Sequence, residues 1–268
     1  MSSKLIFIQL NEINFDLVEK YLSASKENKY KNLKFVMNNF KSLHTFAESE
    51  YENLEPWIQW ASFNLGKSYT DHKIFRLGDI IQFSNQKQIF EKIEERGFKV
   101  GAVSPMNTDN RLNNPSYFIP DPWTNTHSDH SSFSKRLSLM LKQTVNDNSL
   151  GRLSLNSVLT VLEIIFRTLN LKKTSFLIQL IFTSFFKKWK KSLVLDYLIH
   201  LVHLYFFEKK SPNFSSVFLN AGAHIKHWII ASTIQQSKIL LSFKKSSIIF
   251  EKYWFKFFKG FTKNDKRF

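Results

Sequence analysis

Three short apolar runs, each followed by polar residues, constrain the fold of this chain most strongly. Lys4–Leu10 (KLIFIQL) is almost wholly apolar, which is typical of a strand buried on both faces. A second run ends at Val103, after a helical pattern and Gly97, and a third occupies Phe214–Asn220 (FSSVFLN). Helical patterns separate the three runs. This alternation predicts an α/β fold with a mainly parallel sheet flanked by helices.

Polar residues directly after the first and third runs are candidate site residues. Asn11 and Glu12 follow the first run, and His224 and His227 follow the third at a spacing that can place them on one helix face. Ligands of parallel sheets bind at the carboxyl ends of strands, where both pairs are expected. The alternative for Glu12 is a solvated carboxylate at a helix start.

Four segments in this order resemble motifs of the alkaline phosphatase superfamily, in its type I phosphodiesterase and nucleotide pyrophosphatase branch. The resemblance covers roughly residues 4–125 and 212–228, and it implies an alkaline-phosphatase-like core. The segments are LNEINFDLV (10–18), WIQWASFNLGKSYTDHKI (57–74), IFEKIEERGFKVGAVSP (89–105) and NAGAHIKH (220–227).

The resemblance implies a metal site and a chemistry. Asn11 takes the place of the family's metal-ligating Asp, and Glu12 takes the place of the Gly that follows it. Ala223 and His227 take the places of the Asp and His in its Asp-x-x-x-His metal motif. In the family, two divalent metals clamp a phosphoryl group and activate the nucleophile. The implied cofactor is zinc or manganese, with Asn11, Glu12, His224 and His227 as candidate ligands.

The family's nucleophile is missing from this sequence. Counting back from Gly66, the Thr or Ser of the family falls at Glu55 and Pro56. Ser62 is the nearest hydroxyl, about two helical turns away. The family's late Asp-His metal motif is also absent before Phe268. Two explanations are open: an altered site, or a chain that has lost its C-terminal part through truncation or a frameshift, which the ending of the sequence favours.

The predicted organisation has three parts. Residues 1–128 and 211–235 form the α/β core, residues 129–210 a helical insertion or cap, and residues 236–268 a basic aromatic tail. Within the insertion, the uncharged run Thr174–Phe186 has 13 residues, fewer than the roughly 20 that a spanning helix needs. It therefore predicts a buried or interfacial helix. His200 and His203, three residues apart, could be ligands, but no carboxylate motif lies near them, so we favour helix packing as the explanation.

The basic excess lies near the C-terminal end. Residues 171–268 carry 18 Lys or Arg and 4 Asp or Glu, within a total net charge of +16. Aromatic residues interleave with these lysines, a pattern that suits an anionic membrane surface, with nucleic acid as the weaker alternative. We rank compositional drift towards Lys and Phe ahead of either function. The sequence has no cysteine and no signal peptide, which indicates a cytoplasmic protein, with membrane association as an option.

Three functions follow. The first is metal-dependent hydrolysis of a phosphate or sulfate ester, with a small molecule or a glycan as substrate. The second is an inactive relative that serves as a binding or scaffold protein. The third is a peripheral membrane or nucleic-acid binder that uses the basic C-terminal region. The substituted nucleophile leaves open whether the chain is an enzyme.

Overall fold

The computed structural model describes residues 4–24, 31–146, 154–168 and 171–236. The strands are β1 (Leu5–Leu10), β2 (Val100–Val103), β3 (Tyr117–Ile119) and β4 (Phe214–Leu219). The helices are α1 (Phe15–Ala24), α2 (Lys31–Asn39), α3 (Pro56–Leu65), α4 (Tyr69–His72), α5 (Ile89–Glu94), α6 (Ser132–Asn146), α7 (Leu155–Arg167), α8 (Leu171–Phe186), α9 (Lys190–Lys210) and α10 (Ala221–Gln236).

The four strands form one parallel sheet in the order β1-β4-β2-β3. The last of the described strands therefore lies between the first two. Its register with β2 pairs Phe214 with Val100 and Val217 with Val103, and the register of β2 with β3 pairs Val103 with Ile119. The predicted α/β class, with a parallel sheet flanked by helices, is confirmed.

The chain divides into two compact units. The first comprises Met1–Gln9, Phe46–Ser175 and Leu198–Leu219, and the second comprises Leu10–Thr45, Phe176–Tyr197 and Asn220–Phe268. The predicted tail, 236–268, lies outside the described residues except for Gln236. The prediction of a truncated or frameshifted ending also rests on that segment.

An apolar core holds the sheet of the first unit. Phe90, Val100, Phe118 and Phe214 are all buried in it, and the ring of Phe7 on β1 packs against it. Burying such apolar surface contributes about 25 cal/mol per Å². The core therefore joins β1, β2, β3 and β4 to helix α5, which begins with a capping box formed by Gln88 and Glu91.

Gly101 permits a close approach on β2. A Cβ atom at this position would overlap Cζ of Tyr117, its register partner on β3. The fully buried Tyr117 ring therefore lies directly over the Gly101 backbone. Its hydroxyl hydrogen-bonds with Ser215 Oγ at 2.5 Å, and Ser215 Oγ lies 2.7 Å from Nε2 of the buried His203.

Helices α6 to α9 occupy the region in which the sequence predicts a helical insertion. Within the first unit, α6 packs against α7 and β3. Nε and Nη2 of Arg136 on α6 donate hydrogen bonds to the carboxylate of Glu163 on α7 at 2.8 to 3.0 Å. Among the helices of the described ranges, none combines the length and the hydropathy that crossing a bilayer requires.

Candidate functional site

The polar residues that follow β1 and β4 meet in the second unit. Asn11 Nδ2 donates a hydrogen bond to Asn220 Oδ1 at 2.8 Å, and Asn220 Nδ2 lies 3.3 Å from Nε2 of His224. Asn11 is buried, whereas His224 retains exposed surface. The structure thus brings together residues that are 209 positions apart in the sequence.

Glu12 forms a second group of contacts with the first turns of α10. Nε2 of His227 lies 3.1 Å from the Glu12 carboxylate, and Nζ of Lys226 lies 3.2 Å from Oε2 of the same carboxylate. Partial burial acts to raise the pKa of Glu12, but the hydrogen bonds from His227 and Lys226 outweigh it and hold this pKa below its usual value. Glu12 is therefore ionised at neutral pH.

The backbone of Glu12 is in the left-handed region, with φ of +56°. Residues other than glycine rarely adopt this conformation. The turn after β1 therefore places a side chain at a position that glycine would occupy without strain. Its two contacts with α10 help to hold the carboxylate there.

His224 faces a mixed electrostatic environment. Desolvation is the main cause that lowers its pKa, and the nearby His227 also lowers it, whereas Glu12 acts to raise it. Because the residue is exposed at the surface, solvent screens these charges. The net result favours a neutral imidazole.

Asp196 is a site residue that the sequence analysis missed. From α9, its carboxylate accepts hydrogen bonds from the backbone N–H groups of Asn220 at 3.1 Å and Ala221 at 2.7 Å. It therefore caps the N-terminus of α10 from outside that helix. Desolvation raises its pKa to about 7, against the two backbone donors, which lower it. Its only sequence signal is a single acidic residue inside an apolar helical run.

The chemistry of the candidate ligands suits zinc or manganese, but their arrangement does not. Asn11 and His224 are joined through Asn220, whereas Glu12 and His227 contact each other. The Lys226 ammonium pairs with Oε2 of Glu12 at 3.2 Å, so a metal cation would compete with it for this carboxylate. No three His, Asp or Glu side chains converge as a metal centre in the part of the chain that the structure describes. As arranged, these residues do not fit a divalent ion.

Glu55 and Pro56, the residues that the sequence resemblance aligns with a nucleophile, begin α3 in the first unit. Glu55 is the N-cap residue with an extended backbone, and its exposed side chain makes no capping hydrogen bond. Pro56 is the first residue of the helix, a position that suits its missing N–H. Neither side chain supplies a hydroxyl for phosphoryl transfer.

Ser62 contacts a histidine whose tautomer prevents it from acting as a base towards Ser62. Its Oγ lies 2.9 Å from Nε2 of the buried His72. The backbone N–H of Ile74 donates to Nδ1 of His72 at 2.9 Å, so Nδ1 is the unprotonated nitrogen. Nε2 then carries the proton, and this N–H group donates a hydrogen bond to Ser62 Oγ. Burial lowers the pKa of His72, which keeps the ring neutral. The pair connects α3 to α4 and offers Ser62 no base.

No family model, curated protein or solved structure matches this chain.

Proposed function

We propose that this chain is a divergent relative of the alkaline phosphatase superfamily, in its type I phosphodiesterase branch, and that it binds a phosphate or sulfate ester without hydrolysing it. The observation that carries the proposal is the contact between Glu12 and His227. These residues stand where the family has the Gly of its first metal turn and the His of its later metal motif. The left-handed backbone of Glu12, a conformation that favours glycine, supports the same correspondence.

Binding without turnover follows from the missing chemical groups. The nucleophile position holds Glu55 and Pro56, and the proton on His72 Nε2 makes that ring a donor to Ser62. In the resembled family, a side-chain hydroxyl attacks the phosphoryl group. Here neither Glu55 nor Pro56 carries a hydroxyl, and Ser62 has no base to activate it.

The basic groups on α10 suit an anionic ligand. The Lys226 side chain is 51% exposed and the His227 side chain is 67% exposed, so an oxyanion can reach both from solvent. Lys226 supplies a fixed positive charge and His227 a ring nitrogen that can donate a hydrogen bond. The Glu12 carboxylate contacts both groups and orients them.

The test uses the full chain with p-nitrophenyl phosphate, bis-p-nitrophenyl phosphate and p-nitrophenyl sulfate. Binding is measured by calorimetry, and turnover by release of nitrophenolate with and without added zinc or manganese. We expect at least one ester to bind, no nitrophenolate release, and about tenfold weaker binding by Lys226→Ala. Lys20→Ala, an exposed lysine on α1, is the matched control and is expected to bind as the wild type does.

A second candidate is metal-dependent hydrolysis of the same esters. It is favoured by the meeting of Glu12 and His227, both of which can ligate zinc or manganese, and it requires Lys226 to leave Glu12. Metal-dependent nitrophenolate release that His227→Ala abolishes would establish it and overturn binding without turnover. A folded wild-type chain that binds none of the three esters would contradict both candidates.

A further inference from the structure

Helix α8 carries two apolar faces, of which only one is buried. Within the second unit, Leu177 and Leu180 are buried, and the Phe176 ring meets the Tyr197 ring edge-on with centroids 4.9 Å apart. The other face follows the spacing i, i+4, i+7, i+8, which places its members side by side on a helix. Its members are Ile178, Phe182, Phe185 and Phe186.

The outward face is open to solvent. Phe182 is 63% exposed, Phe185 76% and Phe186 75%, and the rings of Phe182 and Phe186 contact each other with centroids 5.4 Å apart. Three clustered phenylalanines form a continuous apolar surface, unlike the single exposed side chains that are common on soluble proteins. Such a surface indicates a binding site.

A basic segment follows this apolar face directly. Lys187, Lys188 and Lys191 are exposed immediately after the last phenylalanine, and the ammonium of Lys190 lies 5.6 Å from the centre of the Trp189 ring. The sequence from 171 to 195 contains no Asp or Glu. The positive charge beside the apolar face is therefore not offset by acidic residues of the same segment.

Together, these features select a partner with an apolar layer next to an anionic one. A bilayer with acidic phospholipids has this structure, with acyl chains beneath a layer of phosphates and carboxylates. Single-stranded nucleic acid would pair with the lysines and could stack bases on individual rings, but it offers no continuous apolar layer to cover one helix face. The helix lacks the length for spanning, so the bound state lies in the plane of the interface.

We propose that the C-terminal end of α8 and the lysines after it form a docking surface for anionic phospholipid bilayers. Phe182, Phe185 and Phe186 insert among the acyl chains near the headgroups, while Lys187, Lys188 and Lys191 contact the anionic headgroups. This docking is independent of ester binding on α10.

The test is co-sedimentation of the full chain with vesicles of an equimolar phosphatidylcholine and phosphatidylserine mixture, compared with vesicles of phosphatidylcholine alone. We expect binding to the acidic vesicles that weakens as salt is added, because the lysine contacts are screened. Two double variants probe the two components: Phe185→Ser with Phe186→Ser, and Lys187→Glu with Lys188→Glu. Each is expected to weaken binding about tenfold or more.

A matched control comes from α7 in the first unit. Leu159 and Phe166 are 54% and 74% exposed, and the adjacent Arg167 is paired with Glu163 at 2.8 Å. Leu159→Ser with Phe166→Ser removes comparable apolar surface without a neighbouring lysine cluster, and we expect it to bind within about twofold of the wild type. Circular dichroism and the unfolding midpoint of each variant show whether it is folded.

Four results would overturn the proposal. The wild type could fail to bind acidic vesicles. Both α8 variants could bind as the wild type does, which would show that another part of the chain binds the vesicles. The α7 variant could lose as much binding as the α8 variants. The chain could also bind a single-stranded oligonucleotide but no vesicle. If a charge-reversed variant is unfolded, Lys187→Gln with Lys188→Gln replaces it in the comparison.

Discussion

Nε2 of His227 lies 3.1 Å from the carboxylate of Glu12, although 215 positions separate the two residues in the sequence. The contact exists because β1 and β4 are neighbours in a parallel sheet, so the residues that follow them leave the sheet at the same edge. Lys226 shares the same carboxylate. A carboxylate and an imidazole, both able to bind a metal, thus lie in contact beside an ammonium group that pairs with the carboxylate.

We predict that Lys226→Ala increases the zinc affinity of the second unit by about tenfold or more. The substitution removes a competing cation and leaves Glu12 and His227 available. Calorimetric titration of the dialysed protein with zinc measures the change in affinity. Lys20→Ala is expected to leave zinc affinity unchanged, and adding His227→Ala to Lys226→Ala is expected to abolish the gain. Stoichiometric zinc binding by the wild type would show that Lys226 does not block the site.

We predict that His203 makes the protein sensitive to acid. Burial lowers its pKa from 6.5 to about 3, so the folded state keeps the ring neutral where the unfolded state binds a proton. Its contribution to stability is complete above about pH 6.5 and is lost as the pH falls towards 3. Relative to His203→Gln, the wild type should lose about 2 kcal/mol of unfolding free energy between pH 7 and pH 5.

Urea unfolding of both proteins at the two pH values measures this difference, and His44→Ala serves as the exposed control. The comparison with a variant is essential because Asp196, on the same helix, has the opposite pH dependence. Equal pH dependence in the wild type and His203→Gln would show that His203 is not the group responsible.

For Asp196, we predict that stability declines as the pH rises. Desolvation raises its pKa from 3.8 to about 7, so the folded state retains a proton that the unfolded state has already released. The stability that this group contributes is complete below about pH 4 and is lost as the pH rises through 7. The unfolding free energy of the wild type relative to Asp196→Asn should fall by on the order of a few kcal/mol between pH 4 and pH 8.

Asp196→Ala separates the charge from the hydrogen bonds. Because it leaves the backbone N–H groups of Asn220 and Ala221 without their acceptor, it should be less stable than Asp196→Asn by about 1 kcal/mol at every pH. Thermal unfolding by circular dichroism compares the three proteins. A constant difference between the wild type and Asp196→Asn across this pH range would contradict the raised pKa.

We predict that Gly101→Ala destabilises the sheet of the first unit by about 3 kcal/mol, because the added methyl group would overlap the Tyr117 ring. The measurement is the urea midpoint. A smaller side chain at position 117 should relieve the overlap, so Gly101→Ala with Tyr117→Leu is expected to be more stable than the sum of the single changes implies. Additive effects would indicate that the backbone accommodates the methyl group without contacting Tyr117.

The sequence predicts the location of residues that directly follow a buried strand. Buried strands are recognised by continuous apolar runs, and the turn after such a run must lie at a sheet edge. The sequence alone therefore predicts that Asn11 and Glu12 lie at a sheet edge, and the same holds for His224 and His227. Strand β3 was not predicted, because three residues, Tyr117–Ile119, are too short for a pattern to be distinguished.

Contacts that depend on how helices pack could not be predicted in this way. Asp196 contacts the start of α10, and Lys226 contacts Glu12, only because α9 and α10 place them there; no spacing rule in the sequence relates either residue to its partner. The tautomer of His72 likewise depends on the N–H of Ile74, a contact made by the turn after α4. The resemblance of the sequence to the phosphodiesterase branch stays a prediction.

The position of β4 between β1 and β2 has a consequence for biogenesis. Of the four described strands, β1 leaves the ribosome first, and its only partner among them is β4, which emerges after nine of the ten described α-helices. During synthesis, β2 and β3 can pair early, whereas β1 must wait with an exposed apolar edge. Pairing over so long a separation is slow. The nascent chain is therefore expected to depend on chaperones until β4 has emerged.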